Sequence, residues 1–394
     1  MTMSSQTRFD SSDDRTGPTS MQNFRSRLDQ EITSQSAAKE VLAHAVDLHR
    51  KRLADANPES SALPVLNLLL TGPSGTGKSA LSVAAAVASG LPYHVAHMCD
   101  YAAPGQPGTQ LEVMFQRLLD STPQVASHTQ ENTGGIIILE SLTHQASISD
   151  QSRALQTRLA SFIEAPRPVL LHMPGGRMIE FSTSKILFIA CATASQARTL
   201  GFVSEQDVPV RTTPESLLSL GLIRQLVEAF AVVPFSQLSH DDIYQILIGR
   251  RSPLARITSA LAIHGLELHL EGDALEWLTD QAYESGKGGK GLESIVTRML
   301  APWLACIEEL SPDVTRIVIN REALCGMRPP RFDHGTPRYL SAPKATHQRA
   351  PGDQPEELLF PDDELPKRPA RSSTSHASGS GRWASEQDLR RWLD

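Results

Sequence analysis

The chain has 394 residues, 40% of them apolar and 21% charged, with a formal net charge of -7. That length and apolar content suffice for two folded units with tails and exclude a wholly disordered protein. An acidic balance without a dense Lys/Arg block argues against a constitutive nucleic-acid or anionic-membrane surface. Cys99, Cys191, Cys306 and Cys325 are widely separated, which excludes a C-x-x-C zinc module and argues against a disulfide framework. No run approaches ~18 uninterrupted apolar residues, and the polar start, Met1 to Thr19, has no apolar core. The expectation is a protein of the reducing cytoplasm, with no export or membrane signal, no nucleic acid and no membrane partner.

In chain order, residues 1–20 predict a disordered arm, being polar with little to bury. Residues 37–53 predict a helix with Ala38, Val41, Leu42, Ala45, Val46 and Leu48 near one face; His44 and His49 fall in solvent rather than on a metal. An apolar run, residues 65–70, then leads into Gly72-Pro73-Ser74-Gly75-Thr76-Gly77-Lys78-Ser79, which fits the phosphate-binding pattern G-x-x-x-x-G-K-S/T at every fixed position. Its glycines let backbone N–H groups curl around a phosphate, Lys78 neutralises phosphate oxygens, and the Ser79 hydroxyl suits Mg²⁺. An Ala-rich helix over 78–89, closed by Gly90, would set the phosphate at a helix N-terminus. That context disfavours a chance glycine-rich turn.

A strand over 93–98 completes a β-α-β unit, and a helix follows over 110–120. The continuous run Ile136-Ile137-Ile138-Leu139, ending in Glu140, reads as a buried parallel strand. Next come a helix over 150–164, a hairpin around Pro174-Gly175-Gly176, and a sheet-centre strand over 185–190. A last strand, 231–235, carries Pro234, which belongs near an edge. Residues 21–236 therefore predict a three-layer α/β P-loop domain. From 237 to 325 the pattern is mostly helical: Ser239-His240-Asp241-Asp242 caps one helix, and others cover 272–285 and 291–310. Short strands at 266–270 and 316–320 interrupt them. Residues 326–382, rich in Pro, Ser, Arg and Asp, predict disorder. In 383–394, Trp383, Leu389, Trp392 and Leu393 mark a short amphipathic helix that either docks a protein partner or folds back onto its own domain.

From about Phe24 to Leu324 the chain resembles the ClpX family of AAA+ unfoldases. Ile32-Thr33-Ser34-Gln35-Ser36-Ala37-Ala38-Lys39 resembles the family's adenine-contacting segment and following helix, with Lys51-Arg52-Leu53 closing it. Leu91-Pro92-Tyr93-His94-Val95, Thr183-Ser184-Lys185-Ile186-Leu187-Phe188-Ile189, Gly221-Leu222-Ile223 and Gly291-Leu292-Glu293-Ser294-Ile295-Val296 match further blocks in the family's order. The resemblance implies ATP and Mg²⁺ as cofactors, with contacts from Ile32, Thr33, Gly72 through Ser79, Glu140 and Lys290. It also implies a helical small subdomain that clasps the nucleotide, and ring assembly.

The chain departs from this pattern where the chemistry lies. Where the family has an Asp-Glu pair at the end of the third strand, this sequence has Glu140 and Ser141. A register one residue earlier would put Leu139 and Glu140 there but misplace Leu142, so one acid is missing either way. The family's trans-acting arginine corresponds to Ala229, with Arg224 one turn away, and its sensor arginine to Lys290. The axial-loop position holds Gly105-Gln106-Pro107-Gly108, without the gripping aromatic, and Met178-Ile179 replaces a basic run. The family's zinc domain has no counterpart, and Leu200-Gly201-Phe202 is similar to its peptidase-docking tripeptide. The reading is a hydrolysis-impaired, nucleotide-dependent scaffold or regulator that binds a protein partner. Its alternatives are a slow but working ATPase using Glu140 and Arg224 in shifted roles, and a regulatory subunit in a hetero-oligomer with an AAA+ unfoldase rather than a homo-oligomeric ring.

Overall fold

Consecutive apolar residues are buried on both sides only in a parallel sheet covered by helices on both faces. The computed structural model shows this arrangement and describes residues 18–55, 62–102, 109–121, 134–146, 149–164, 168–172, 176, 178–193, 214–305 and 313–335. The chain divides into two units, one ending at Gln237 and one beginning at Leu238.

In the first unit, α1 (Pro18–Glu31) and α2 (Ser36–Ala54) precede β1 (Leu68–Gly72), α3 (Lys78–Ser89), β2 (Tyr93–His97), α4 (Val113–Asp120) and β3 (Gly135–Glu140). Then follow α5 (Asp150–Glu164), β4 (Pro168–His172), β5 (Met178–Ser182), β6 (Ile186–Thr193), α6 (Pro214–Ser219), α7 (Arg224–Glu228) and β7 (Ala231–Pro234). The sheet runs β2-β3-β6-β1-β7, all parallel, and β4 and β5 form a separate antiparallel hairpin.

Strand alternation sorts the apolar residues into two layers. Leu68, Leu70, Ile136, Ile138, Leu187, Ile189 and Cys191 pack with Leu28, Leu42, Val46, Leu81 and Ala85 from α1 to α3. Leu69, Ile137, Leu139, Phe188 and Ala190 face the other way, onto Phe115 of α4, Leu159 and Phe162 of α5, and Leu226 of α7. Phe115 centres that layer, edge-on to Phe162 at 5.3 Å and tilted against Phe181 at 5.6 Å. β7 lies at the sheet edge, where the missing N–H of Pro234 is tolerated.

Several expectations need correction. Residues 18–20 are not a disordered arm but the start of α1, whose Phe24 and Leu28 are buried; residues 1–17 lie outside the described set. The helix expected from 110 begins at Val113. On α2, Val41 is 38% exposed, whereas His49, expected in solvent, is buried. Its Nε2 lies 3.2 Å from the Gly135 carbonyl, so neutral imidazole with the proton on Nε2 donates to the first residue of β3. Burial holds its pKa down at about 4, because a charged ring there would be desolvated.

The second unit holds α8 (His240–Ile248), α9 (Pro253–Ile263), β8 (Glu267–Leu270), α10 (Gly272–Glu284), α11 (Gly288–Ala305), β9 (Val314–Ile319), α12 (Arg321–Leu324) and β10 (Arg331–His334). The Ser239 hydroxyl accepts from the Asp242 N–H at 3.1 Å while the Ser239 N–H donates to Oδ2 of Asp242 at 2.8 Å, a capping box that starts α8. α9, which the sequence reading passed over, starts on a Ser252 cap with Pro253 at its first position. α11 begins three residues before the expected 291. β10 falls within the stretch expected to be disordered; it pairs antiparallel with β9, giving a β10-β9-β8 sheet. Leu275, Leu278, Leu292, Val296 and Ile317 fill the core between. Among the described residues no helix is long and apolar enough to cross a membrane.

The buried His49 makes stability pH-dependent. Its folded pKa is depressed, so the unfolded chain takes up a proton first, and stability falls as pH drops from 6.5 toward about 4. Chemical denaturation is expected to show a loss of about 2 kcal/mol between about pH 7 and about pH 5, and His49→Gln is expected to flatten that slope. An equal slope in the variant would contradict this assignment.

Candidate phosphate and cation site

Because the strands are parallel, the ends of β1, β3 and β6 emerge on one edge of the sheet, and the site is built there. The chain leaves β1 at Gly72, where any side chain is excluded: a Cβ would lie 2.5 Å from the Phe235 carbonyl oxygen. It re-enters helix at Gly77, the N-cap of α3, whose φ of 93° lies in the left-handed region open to glycine. Between them Thr76 Oγ1 donates to the Pro73 carbonyl at 3.0 Å and braces the loop, which also contains Ser74 and Gly75.

Lys78 is 6% exposed. Its Nζ donates to the carbonyls of Gly72 at 2.9 Å and Pro73 at 2.6 Å, so the ammonium is folded onto the loop's own oxygens at the mouth of α3. Phosphate oxygens are stronger partners for that ammonium than neutral carbonyls. One residue on, Ser79 Oγ donates to Glu140 Oε2 at 2.7 Å. The other oxygen, Oε1, is buried without a hydrogen-bond partner among the described residues, and Glu140 is 9% exposed. A hydroxyl beside a carboxylate with a spare oxygen is a hard donor set that fits Mg²⁺, while Lys78 and the loop N–H groups fit phosphate.

Ser141 follows in a left-handed conformation, φ 58° and ψ 41°, rare for a residue with a Cβ. It turns the chain off β3 into a short helical turn, Leu142–Gln145, and Leu142 is fully buried. Ala229 closes α7 and is partly buried against the core, so no guanidinium stands there. Arg224, on the first turn of α7, is 73% exposed and pairs with Glu228 at 3.4 Å.

Ile32 packs on the α1–α3 layer and Thr33 is exposed. Gln35, at φ 66°, pins this segment to the end of β7: its Nε2 donates to the Ser236 carbonyl at 2.9 Å, and its Oε1 accepts from the Ser236 N–H at 3.2 Å. The first unit thus holds residues 32–33, the loop 72–79 and Glu140, whereas Lys290 is exposed on the first turn of α11 in the second unit. Residues 105–108 and 200–202 lie outside the described set, as do Trp383, Leu389, Trp392 and Leu393.

Two residues escaped the sequence reading. Gln156 of α5 is 1% exposed; its Nε2 donates to the carbonyls of Gln145 at 2.6 Å and Gly221 at 3.2 Å, and its Oε1 accepts from the Ile223 N–H at 2.8 Å. It ties the turn after β3 to the segment that leads into α7. The signal was an amide beside Leu155 on an otherwise apolar face. Cys191 of β6 is 4% exposed; burial, then the charge of Glu140, pushes its thiol pKa up to about 12.

No protein-family model matches the chain. It is 25% identical over 316 residues to the ATP-dependent Clp protease ATP-binding subunit ClpX of Treponema denticola, covering 71% of this chain and 75% of that protein. It is 27% identical over 321 residues to the same subunit of Azotobacter vinelandii, covering 70% and 72%. With ClpX 3 of Methylococcus capsulatus the identity is 25% over 352 residues, covering 78% and 81%. Each match covers more of the chain than either unit contains, so the likeness extends over both. The parallel sheet, the loop at its edge and these matches define an AAA+ protein of the P-loop class. Within that class the chain is ClpX-like: it is similar to ClpX subunits over both units, at 25–27% identity.

Gly72→Ala is expected to cost about 2–4 kcal/mol in urea denaturation, because the Phe235 backbone cannot move aside. At Gly77 the added Cβ meets nothing within 4 Å, so Gly77→Ala carries only the positive-φ cost, about 1–2 kcal/mol. Equal costs at the two positions would contradict the packing described.

Proposed function

We propose that this chain binds ATP with Mg²⁺ at the loop 72–79 and uses the bound nucleotide to hold a protein-binding state, with hydrolysis impaired. The observation that carries the proposal is the Ser79–Glu140 contact at 2.7 Å followed by Ser141. Binding groups are complete there, but the next position offers a hydroxyl whose pKa is far too high for a general base. When bound, Mg²⁺ would neutralise charge on the phosphates. Ser79 and Glu140 would position that ion, Lys78 and the loop amides would hold phosphate, and Ile32 and Thr33 would meet the base. Lys290 keeps a positive charge but not the bidentate fork of arginine.

Losing one acid–base group costs ~10²–10⁴ in rate. Lacking an arginine at 229 removes a factor of ~10³–10⁵ where such residues have been measured. The two need not multiply, yet either alone places turnover well below the usual enzyme range. The matched relatives are ATP-binding subunits of an ATP-dependent protease, which supports nucleotide-dependent assembly with protein partners in the cytoplasm, as a ring of this chain or with an unfoldase. A slow ATPase is the second reading, favoured by the unpartnered Glu140 Oε1, which could orient a water.

A fluorescent ATP analogue is expected to bind the wild type with Mg²⁺ and to bind Lys78→Ala at least ~10²-fold more weakly, the loss of a charge-assisted phosphate contact. Steady-state turnover is expected below ~0.1 s⁻¹. Turnover well above that value, abolished by Lys78→Ala, would favour the second reading and overturn the first. Ser141→Glu combined with Ala229→Arg is expected to raise turnover by at least ~10².

A further inference from the structure

Cys191 has no part in the reading above, yet the strand register sets it against the candidate cation ligand. β3 and β6 pair Leu139 with Ala190, and β1 and β6 pair Leu70 with Cys191. Continuing the first register by one residue places Glu140 beside Cys191 on adjacent strands. Alternation turns both toward α3, since Ile136 and Ile138 share a core layer with Leu187, Ile189 and Cys191. α3 meets them with two serines one turn apart. Ser79 Oγ is 2.7 Å from Glu140 Oε2, and Ser82 Oγ is 3.5 Å from Cys191 Sγ. A buried sulfur therefore sits next to a carboxylate that is itself nine-tenths buried and keeps one oxygen, Oε1, without a hydrogen-bond partner among the described residues.

We propose that Cys191 Sγ and Glu140 Oε1 form a thiophilic cation site beneath the phosphate loop, taking a borderline or soft divalent ion such as Zn²⁺ or Cd²⁺ in preference to Mg²⁺. The inference deepens the reading of Glu140 as a cation ligand and rests on it. In the binding step the S–H bond breaks, a sulfur–metal bond forms, and the proton leaves to the buffer, so no oxidant or reductant is needed. Thiolate favours Zn²⁺ and Cd²⁺, whereas Mg²⁺ demands oxygen ligands and retains its waters. The negative charge of the neighbouring Glu140 carboxylate favours a cation at this place. The site would give the nucleotide pocket a second cation chemistry, and thiophilic ions would bind there with or without ATP.

The test uses the full chain with Cys99→Ser, Cys306→Ser and Cys325→Ser, leaving Cys191 as the sole thiol, titrated with CdCl₂ in reductant-free buffer. The ultraviolet sulfur-to-cadmium charge-transfer band is expected to saturate at one equivalent and to persist in excess Mg²⁺. Adding Cys191→Ala is expected to abolish it, and Glu140→Gln is expected to weaken Cd²⁺ binding at least ~10-fold, as loss of a ligand does. No band, a band that survives Cys191→Ala, or an affinity unchanged by Glu140→Gln would overturn the proposal. Glu140→Gln decides the matter should Cys191→Ala fail to fold. Binding of the fluorescent ATP analogue to the same protein separates the two readings. A cadmium band without nucleotide binding would sink the ATP reading and leave this site standing, and nucleotide binding without the band would do the reverse.

Discussion

The hydrogen bond from Ser79 Oγ to Glu140 Oε2 joins the first turn of α3 to the end of β3, elements separated by a full strand, a helix and their connections. It forms because β1 and β3 are parallel and lie on either side of β6, so their C-terminal ends share one edge. The positions of the loop, the turn at Ser141 and the thiol of Cys191 follow from that constraint. The sheet is held by apolar residues buried on both faces, each layer contributing at about 25 cal/mol per Å² of apolar surface removed from water. The site therefore rests at the edge of a sheet buried on both faces.

The polar groups at that edge divide into those that hold and those that react. Lys78, Thr76, Ser79 and Glu140 are in contact or one contact apart, and under the proposed function each serves ground-state binding. The positions at which a reaction would be accelerated hold Ser141 and Ala229, and Arg224 faces solvent in a pair with Glu228. Interactions made equally with substrate and transition state lower the dissociation constant without raising turnover. On the proposed reading, a pocket of this composition stores a nucleotide rather than consuming it. Gln156 is bonded at once to the turn that follows Ser141 and to the segment that leads into α7.

Much of this was legible in the sequence where one physical signal dominated. Ile136 to Leu139 and Ile186 to Ala190 read as central strands because nothing polar interrupts them, and α5 and the Ser239 cap carried ordinary helix signals. The phosphate loop was legible because its glycines and lysine have few other uses in one octapeptide. What was hidden depends on partners distant in sequence. His49 reads as a surface residue until the Gly135 carbonyl is brought against it, and β10 has no pattern of its own, taking its structure from β9. Neither Gln156 nor the Glu140–Cys191 adjacency is visible without the register of strands.

The central claim, that the pocket keeps ATP intact, is tested most directly by identifying the nucleotide that remains bound. Protein incubated with ATP and Mg²⁺, passed over a desalting column and denatured, would be assayed by chromatography for ATP and ADP. The account predicts that bound nucleotide is almost entirely ATP after many minutes, with none retained by Lys78→Ala. Bound ADP accumulating in wild type but not in Lys78→Ala would contradict it.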